Sequence, residues 1–72
     1  MSLVTQAFLF ERYGCRMDLD ALARELGWSK GTIYNMLSAG TFPVKTYLDG
    51  KQRFADFQDV AAYLDTKRRE AA

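Results

Sequence analysis

Three residues, Gly27-Trp28-Ser29, separate two stretches of helical periodicity, and this spacing limits the possible folds more than any other feature of the chain. Upstream, Leu19, Leu22, Ala23 and Leu26 recur at intervals of three and four, which gathers them on one side of a helix over residues 18–26. Asp18 can cap that helix, Asp20 complements its dipole, and Gly27 stands where a left-handed residue ends a helix. Downstream, Ser29 is a good N-cap for a helix over residues 30–39, with Ile33, Met36 and Leu37 on its inner stripe and Gly40 closing it. Two helices joined so tightly must pack on each other, and Leu22, Ala23, Leu26, Ile33 and Leu37 are the expected contact. This is the spacing of a helix-turn-helix.

After Phe42-Pro43 the apolar period changes to two. Val44, Thr46 and Leu48 alternate with Lys45 and Tyr47, Asp49-Gly50 intervenes, and Lys51-Gln52-Arg53-Phe54 follows. Asp-Gly between two such runs predicts a β-hairpin closed by a type I′ turn. Asp56 can cap a last helix with Phe57, Val60, Ala61, Tyr63 and Leu64 as its apolar face and Lys67-Arg68-Arg69 at its negative pole. A first helix over residues 5–13 precedes everything, with Leu3, Ala7, Phe8 and Phe10 available for one face and Gly14 as its stop. The expected fold is therefore mainly α with a small β-hairpin, in the order of a winged helix-turn-helix, as one domain over residues 1–72.

Size and composition remove most other classes. A chain of 72 residues buries only roughly 60% of its unfolded surface, too little for a large enzyme fold or a deep pocket. With no histidine and one cysteine, Cys15, the chain has neither a zinc-ligand set nor a Ser-His or Cys-His pair, and no internal disulfide can form. No catalytic residue and no cofactor is expected. The longest apolar run, residues 7–10, cannot span a membrane, and the first residues do not resemble a signal peptide. A cytoplasmic protein is expected.

Net charge is +1 and the pI about 7.9, below the value above 9 usual for a nucleic-acid-binding domain. The total, however, is a cancellation of blocks. Residues 28–53 carry +3, while residues 18–27 carry −2 and residues 54–65 carry −3. The basic block spans the second helix and the hairpin. Lys30 can reach guanine or phosphate, Asn35 can pair bidentately with adenine, and Ser29, Thr32 and Tyr34 can bond phosphates. Gly31 either lets the helix approach a groove floor or is a glycine tolerated in the first turn. Lys45, Lys51, Gln52 and Arg53 lie on the hairpin, where Lys51 and Arg53 are expected to point one way and to follow a phosphate backbone or enter the minor groove. The acidic residues are expected on flanking helices, facing away from DNA or towards a partner.

The stretch from Leu19-Asp20-Ala21-Leu22-Ala23-Arg24-Glu25-Leu26 through Gly27-Trp28-Ser29-Lys30-Gly31-Thr32-Ile33-Tyr34 resembles the opening of small MerR-like helix-turn-helix proteins, among them AlpA-type phage regulators and excisionases. The likeness continues through Ala39-Gly40-Thr41-Phe42-Pro43, Lys51-Gln52-Arg53-Phe54 and Asp59-Val60-Ala61-Ala62-Tyr63-Leu64. Both ends are similar to pyocin-activator-type regulators, in Thr5-Gln6-Ala7-Phe8-Leu9, Tyr13-Gly14, Ala61-Ala62-Tyr63-Leu64-Asp65 and Arg68-Arg69-Glu70-Ala71-Ala72. The resemblance implies that Ser29 caps a recognition helix, that Lys30, Thr32, Tyr34 and Asn35 face DNA, and that Lys51 and Arg53 sit in the wing. Two positions depart from the pattern. Asn35 stands where AlpA-like sequences often have arginine, so base preference does not carry over, and Trp28 replaces an aliphatic residue at the turn.

The expected function is sequence-specific binding of double-stranded DNA as a transcriptional regulator of a phage-like or mobile element. The alternative on the same fold is an excisionase that coats and bends DNA beside an integrase. A third reading is a protein-interaction adaptor using Phe8, Phe10 and Tyr13, which serve either as a partner surface or as part of the core. Partners would be double-stranded DNA, further copies of the chain, and an integrase or RNA polymerase, with no membrane. Trp28 is read as a core wedge between the helices, Cys15 as an inert thiol, and Asp56, Asp59 and Asp65 as caps and a solvated face.

Overall fold

The computed structural model describes residues 3–71; Met1, Ser2 and Ala72, at the ends of the expected 1–72 domain, lie outside the described residues. The elements are α1 (Leu3–Tyr13), β1 (Arg16–Asp18), α2 (Leu19–Leu26), α3 (Lys30–Ala39), β2 (Tyr47–Asp49), β3 (Gln52–Asp56) and α4 (Phe57–Ala71). The molecule is mainly helical with a small three-stranded antiparallel sheet.

The α2–α3 pair forms for the local reasons the sequence carries. Asp18 is extended and its carboxylate accepts from the Ala21 N–H at 2.9 Å, which satisfies one of the free donors at the start of α2. Gly27 adopts φ 74°, where its own N–H and that of Trp28 both return to the Ala23 carbonyl. Ser29 then caps α3, its Oγ accepting from the Thr32 N–H at 3.1 Å. The helix bounds match those expected to within one residue. Leu22 of α2 and Ile33 of α3 are wholly buried in one core cluster, and Ala23, Leu26 and Leu37 pack partly buried against it. Burying a side chain of the size of Leu22 stabilises by about 1.5–3 kcal/mol.

The sheet departs from the expected lone hairpin. Strand order is β1-β3-β2, so β3 is central, paired with β1 through Arg16↔Asp56, Met17↔Ala55 and Asp18↔Phe54 and with β2 through Tyr47↔Phe54, Leu48↔Arg53 and Asp49↔Gln52. β1 has a single buried apolar residue, Met17, and so no period of its own to read. The turn between β2 and β3 consists of Gly50 and Lys51, one residue later than expected. Gly50 has φ 66° and, among the described residues, none other than glycine has a positive φ, so the turn is not type I′. Val44 does not enter a strand. It is buried in the core, and Lys45 and Thr46 lie in the irregular approach to β2.

The core comprises Leu9, Met17, Ala21, Leu22, Ile33, Val44, Ala55, Val60 and Ala61, drawn from all four helices, two strands and the loop before β2. Trp28 seals the turn as expected, its ring edge-on to Phe42 at 6.3 Å and to Tyr63 at 6.3 Å. Of the two readings left open for the aromatics of α1, the structure leaves Phe8 and Phe10 half exposed outside the core. The helix buries Thr5 and Leu9, while Leu3, Ala7, Phe8 and Phe10 are exposed. The reason lies at the other side of the contact, where α4 buries Asp65. The Thr5 hydroxyl donates to Asp65 Oδ1 at 3.2 Å, and Arg68 Nη2 donates to Thr5 Oγ1 at 3.3 Å. Asp65 is thus an interior tie between the two helices and not part of a solvated face. α4 starts on Asp56, whose Oδ1 accepts from the Gln58 N–H at 2.8 Å, and on the carbonyl of the exposed Cys15, which accepts from the Phe57 N–H at 3.2 Å. Among the described residues no helix is long and apolar enough to cross a membrane.

Candidate nucleic-acid interface

α3 and the hairpin converge on one shallow concavity of about 170 Å³. Lys30 and Tyr34, one turn apart on α3, form one wall, and Lys51, Gln52 and Arg53 form the other, with Asp18, Leu19 and Asp20 between them. Five of the ten candidate residues therefore meet, although 17 or more positions separate the two walls in sequence. The expected alternation fails at the hairpin tip. Lys51 is in the turn, not on the strand, so Gln52 lines the concavity together with Lys51 and Arg53.

The remaining candidates are distributed around this center. Gly31, Thr32 and Asn35 are exposed on α3 but do not line the concavity, and Lys45 is exposed on the approach to β2. Ser29 and Thr32 are engaged with each other, their hydroxyls 3.0 Å apart, so their first role is to fix the start of α3. Gly31 has ample room: a Cβ there would meet only Ser29 Oγ, at 3.9 Å, and its φ is not positive. Nothing within the chain demands glycine at this position.

Electrostatics of the concavity are mixed. Lys30 Nζ lies 3.0 Å from Asp20 Oδ1, and its pKa is raised by this hydrogen bond first and by the charge of Asp20 second. Both side chains are about half exposed or more, so solvent screens the pair and it adds little to stability. Arg53 is half-buried and donates from Nη1 to Thr46 Oγ1 at 2.8 Å, which holds the guanidinium at the base of the hairpin. Three cations and two carboxylates line the surface. The expectation that acidic residues turn away from it fails at Asp18 and Asp20, because the residue that caps α2 also ends β1 at the concavity edge.

Arg16 is a structural contributor that sequence reasoning missed. Its Nη1 lies 2.6 Å from Asp49 Oδ2, and its guanidinium stacks over the Phe54 ring at 3.8 Å from the centroid. The Asp49 hydrogen bond is the largest cause of its raised pKa. One side chain from β1 thereby braces the far strand of the hairpin across β3. No sequence signal marks this role, since it exists only once β1 is paired.

No protein-family model, no curated protein and no solved structure matches the chain.

Proposed function

We propose that this chain binds double-stranded DNA sequence-specifically as a winged helix-turn-helix, with α3 entering the major groove and the β2–β3 hairpin acting as the wing. One observation carries the reading: residues chosen for their contact chemistry on α3 and on the hairpin, Lys30, Tyr34, Lys51, Gln52 and Arg53, share one solvent-open concavity. Lys51 and Arg53 would contact phosphate, Lys30 phosphate or guanine, and Asn35, exposed one residue beyond Tyr34, a base edge. The α3 N-terminus adds its positive dipole end at the same place. A surface with three cations offset by two carboxylates gives weak non-specific affinity, so useful occupancy requires more than one copy on the DNA. The role that fits is control of transcription in a phage-like or mobile element, in the cytoplasm and without catalysis.

The test is a gel-shift titration on the DNA upstream of the chain's own coding sequence, at two salt concentrations, beside Lys30→Ala and Arg53→Ala. Binding weakened by both changes supports the groove-and-wing assignment. Unchanged binding in both sinks it, and no binding at low salt favours the adaptor reading, for which the half-exposed Phe8 and Phe10 are the supporting observation. Strong bending with phased, head-to-tail occupancy favours the excisionase over the promoter-bound regulator.

A further inference from the structure

The hairpin has little of its own to hold it in place. Every residue of β2 is exposed, and along β3 only Ala55 is buried, at the end away from the turn. A two-stranded ribbon without an apolar face to bury is marginal in water. Yet this ribbon carries Lys51 in its turn and Arg53 on β3, across the concavity from Lys30 and Tyr34. The Arg53–Thr46 hydrogen bond stays within residues 46–53. Among the described residues, one side-chain hydrogen bond ties those residues to another element, from Arg16 of β1 to Asp49, immediately before the turn.

On the reading of the hairpin as a DNA-contacting wing, on which this rests, we infer that Arg16 is a positioning residue, fixing where Lys51 and Arg53 stand before DNA arrives. Arg16 faces Asp56 across β1 and β3, and Asp49 faces Gln52 across β2 and β3, so the 2.6 Å bridge crosses β3 diagonally. Phe54 lies along this path, with the guanidinium 3.8 Å from its ring centroid and the Tyr47 ring at 6.2 Å. One side chain thus grips both strands of the wing. Hydrogen bonding to Asp49 first and to Tyr47 second raises the Arg16 pKa, and both partners belong to β2. Arginine suits this place because it offers a planar face to the ring and a rigid fork to the carboxylate at once, which lysine does not.

Neither Arg16 nor Asp49 lines the concavity, so their effect passes through the wing cations and not through contact with phosphate. Both are about half exposed, and such a pair adds little to the stability of the whole chain. Its consequence is local. A ribbon already ordered loses less freedom when its cations meet phosphate, and the difference appears as affinity.

Fluorescence anisotropy on a labelled duplex of the DNA upstream of the chain's own coding sequence, at two salt concentrations, tests this with two variants that keep the net charge. Arg16→Gln combined with Asp49→Asn removes one charge of each sign, and Arg16→Lys keeps the charge but not the stack. Each is expected to bind roughly three- to tenfold more weakly, with the wild-type salt slope. Lys51→Ala, which removes a wing cation, is expected to weaken binding and to flatten that slope by about 0.9. Without DNA, backbone amide hydrogen exchange in the double variant is expected to speed up at residues 47–53 and to stay as in the wild type in α2 and α3. Wild-type affinity in either variant, beside a weakened Lys51→Ala, overturns the positioning role alone. A slope flattened by about 0.9 in the double variant also overturns it, because Arg16 would then meet phosphate itself. Faster exchange spread through α2 and α3 does so too, since the loss would be general. Wild-type affinity in all three variants removes the wing reading, and the positioning role with it.

Discussion

Asp20 shows how one residue can limit a binding surface. It sits 3.0 Å from Lys30, at the wall of the concavity where a phosphate would have to approach. A phosphate that recruits Lys30 must displace this carboxylate and tolerate its charge. Asp20→Asn is therefore expected to strengthen binding to double-stranded DNA by roughly three- to tenfold at low salt, with the gain shrinking as salt screens it. Fluorescence anisotropy with a labelled duplex at two salt concentrations reads this directly, and an unchanged or weaker affinity contradicts it. The residue roles that depend on nearest neighbours were legible in the sequence: Asp18, Gly27 and Ser29 act within three or four positions of themselves. The Asp20–Lys30 pair was not, because ten positions and a change of helix direction separate its members.

At the scale of elements, α1 and α4 pack directly on each other. Their contact includes a buried carboxylate, Asp65, which receives the Thr5 hydroxyl and lies 4.0 Å from Arg68. Asp65→Ala removes the acceptor and leaves Thr5 without that bond, at an expected cost of about 1–3 kcal/mol. Urea unfolding followed by circular dichroism measures the change, and a shift below a few tenths of a kcal/mol would show that the tie is incidental. The amphipathic pattern of α1 left open which face turns inward. Phe8 and Phe10 are the larger apolar residues, but the inward stripe of Thr5, Leu9 and Tyr13 is the one that complements α4 and reaches Glu25 through the Tyr13 hydroxyl. Periodicity reports that a face exists, whereas its partner decides which one is used. The same holds for β1, three residues that become a strand only because β3 offers a second edge.

For the whole molecule, near-neutral net charge takes on a specific meaning. The basic block of residues 28–53 does become one surface, but the fold places Asp18 and Asp20 into it, so charge cancellation operates within the site as well as across the chain. If Lys30, Lys51 and Arg53 each neutralise one phosphate, the logarithm of affinity falls with the logarithm of salt at a slope of about −2.7 per copy, or roughly 40-fold between 50 and 200 mM. A slope near zero in the same titration would mean that these cations do not meet phosphate. A slope near twice that value would indicate two copies bound together.

What the amino-acid sequence determined by itself is the set of elements whose causes are local. The capped α2–α3 pair, its buried Leu22 and Ile33, the glycine-closed hairpin and the chemistry offered by Lys30, Tyr34, Lys51, Gln52 and Arg53 follow from spacing and residue type over a few positions. The tertiary structure alone decided that β1 completes the sheet, that Asp65 is interior, that Arg16 braces Asp49, and that α1 turns Phe8 and Phe10 outward. The physical reason is the range of the interactions. A cap or a tight turn satisfies backbone groups of its own neighbours, whereas a strand edge, a buried carboxylate or a concavity exists only when distant segments supply the other half.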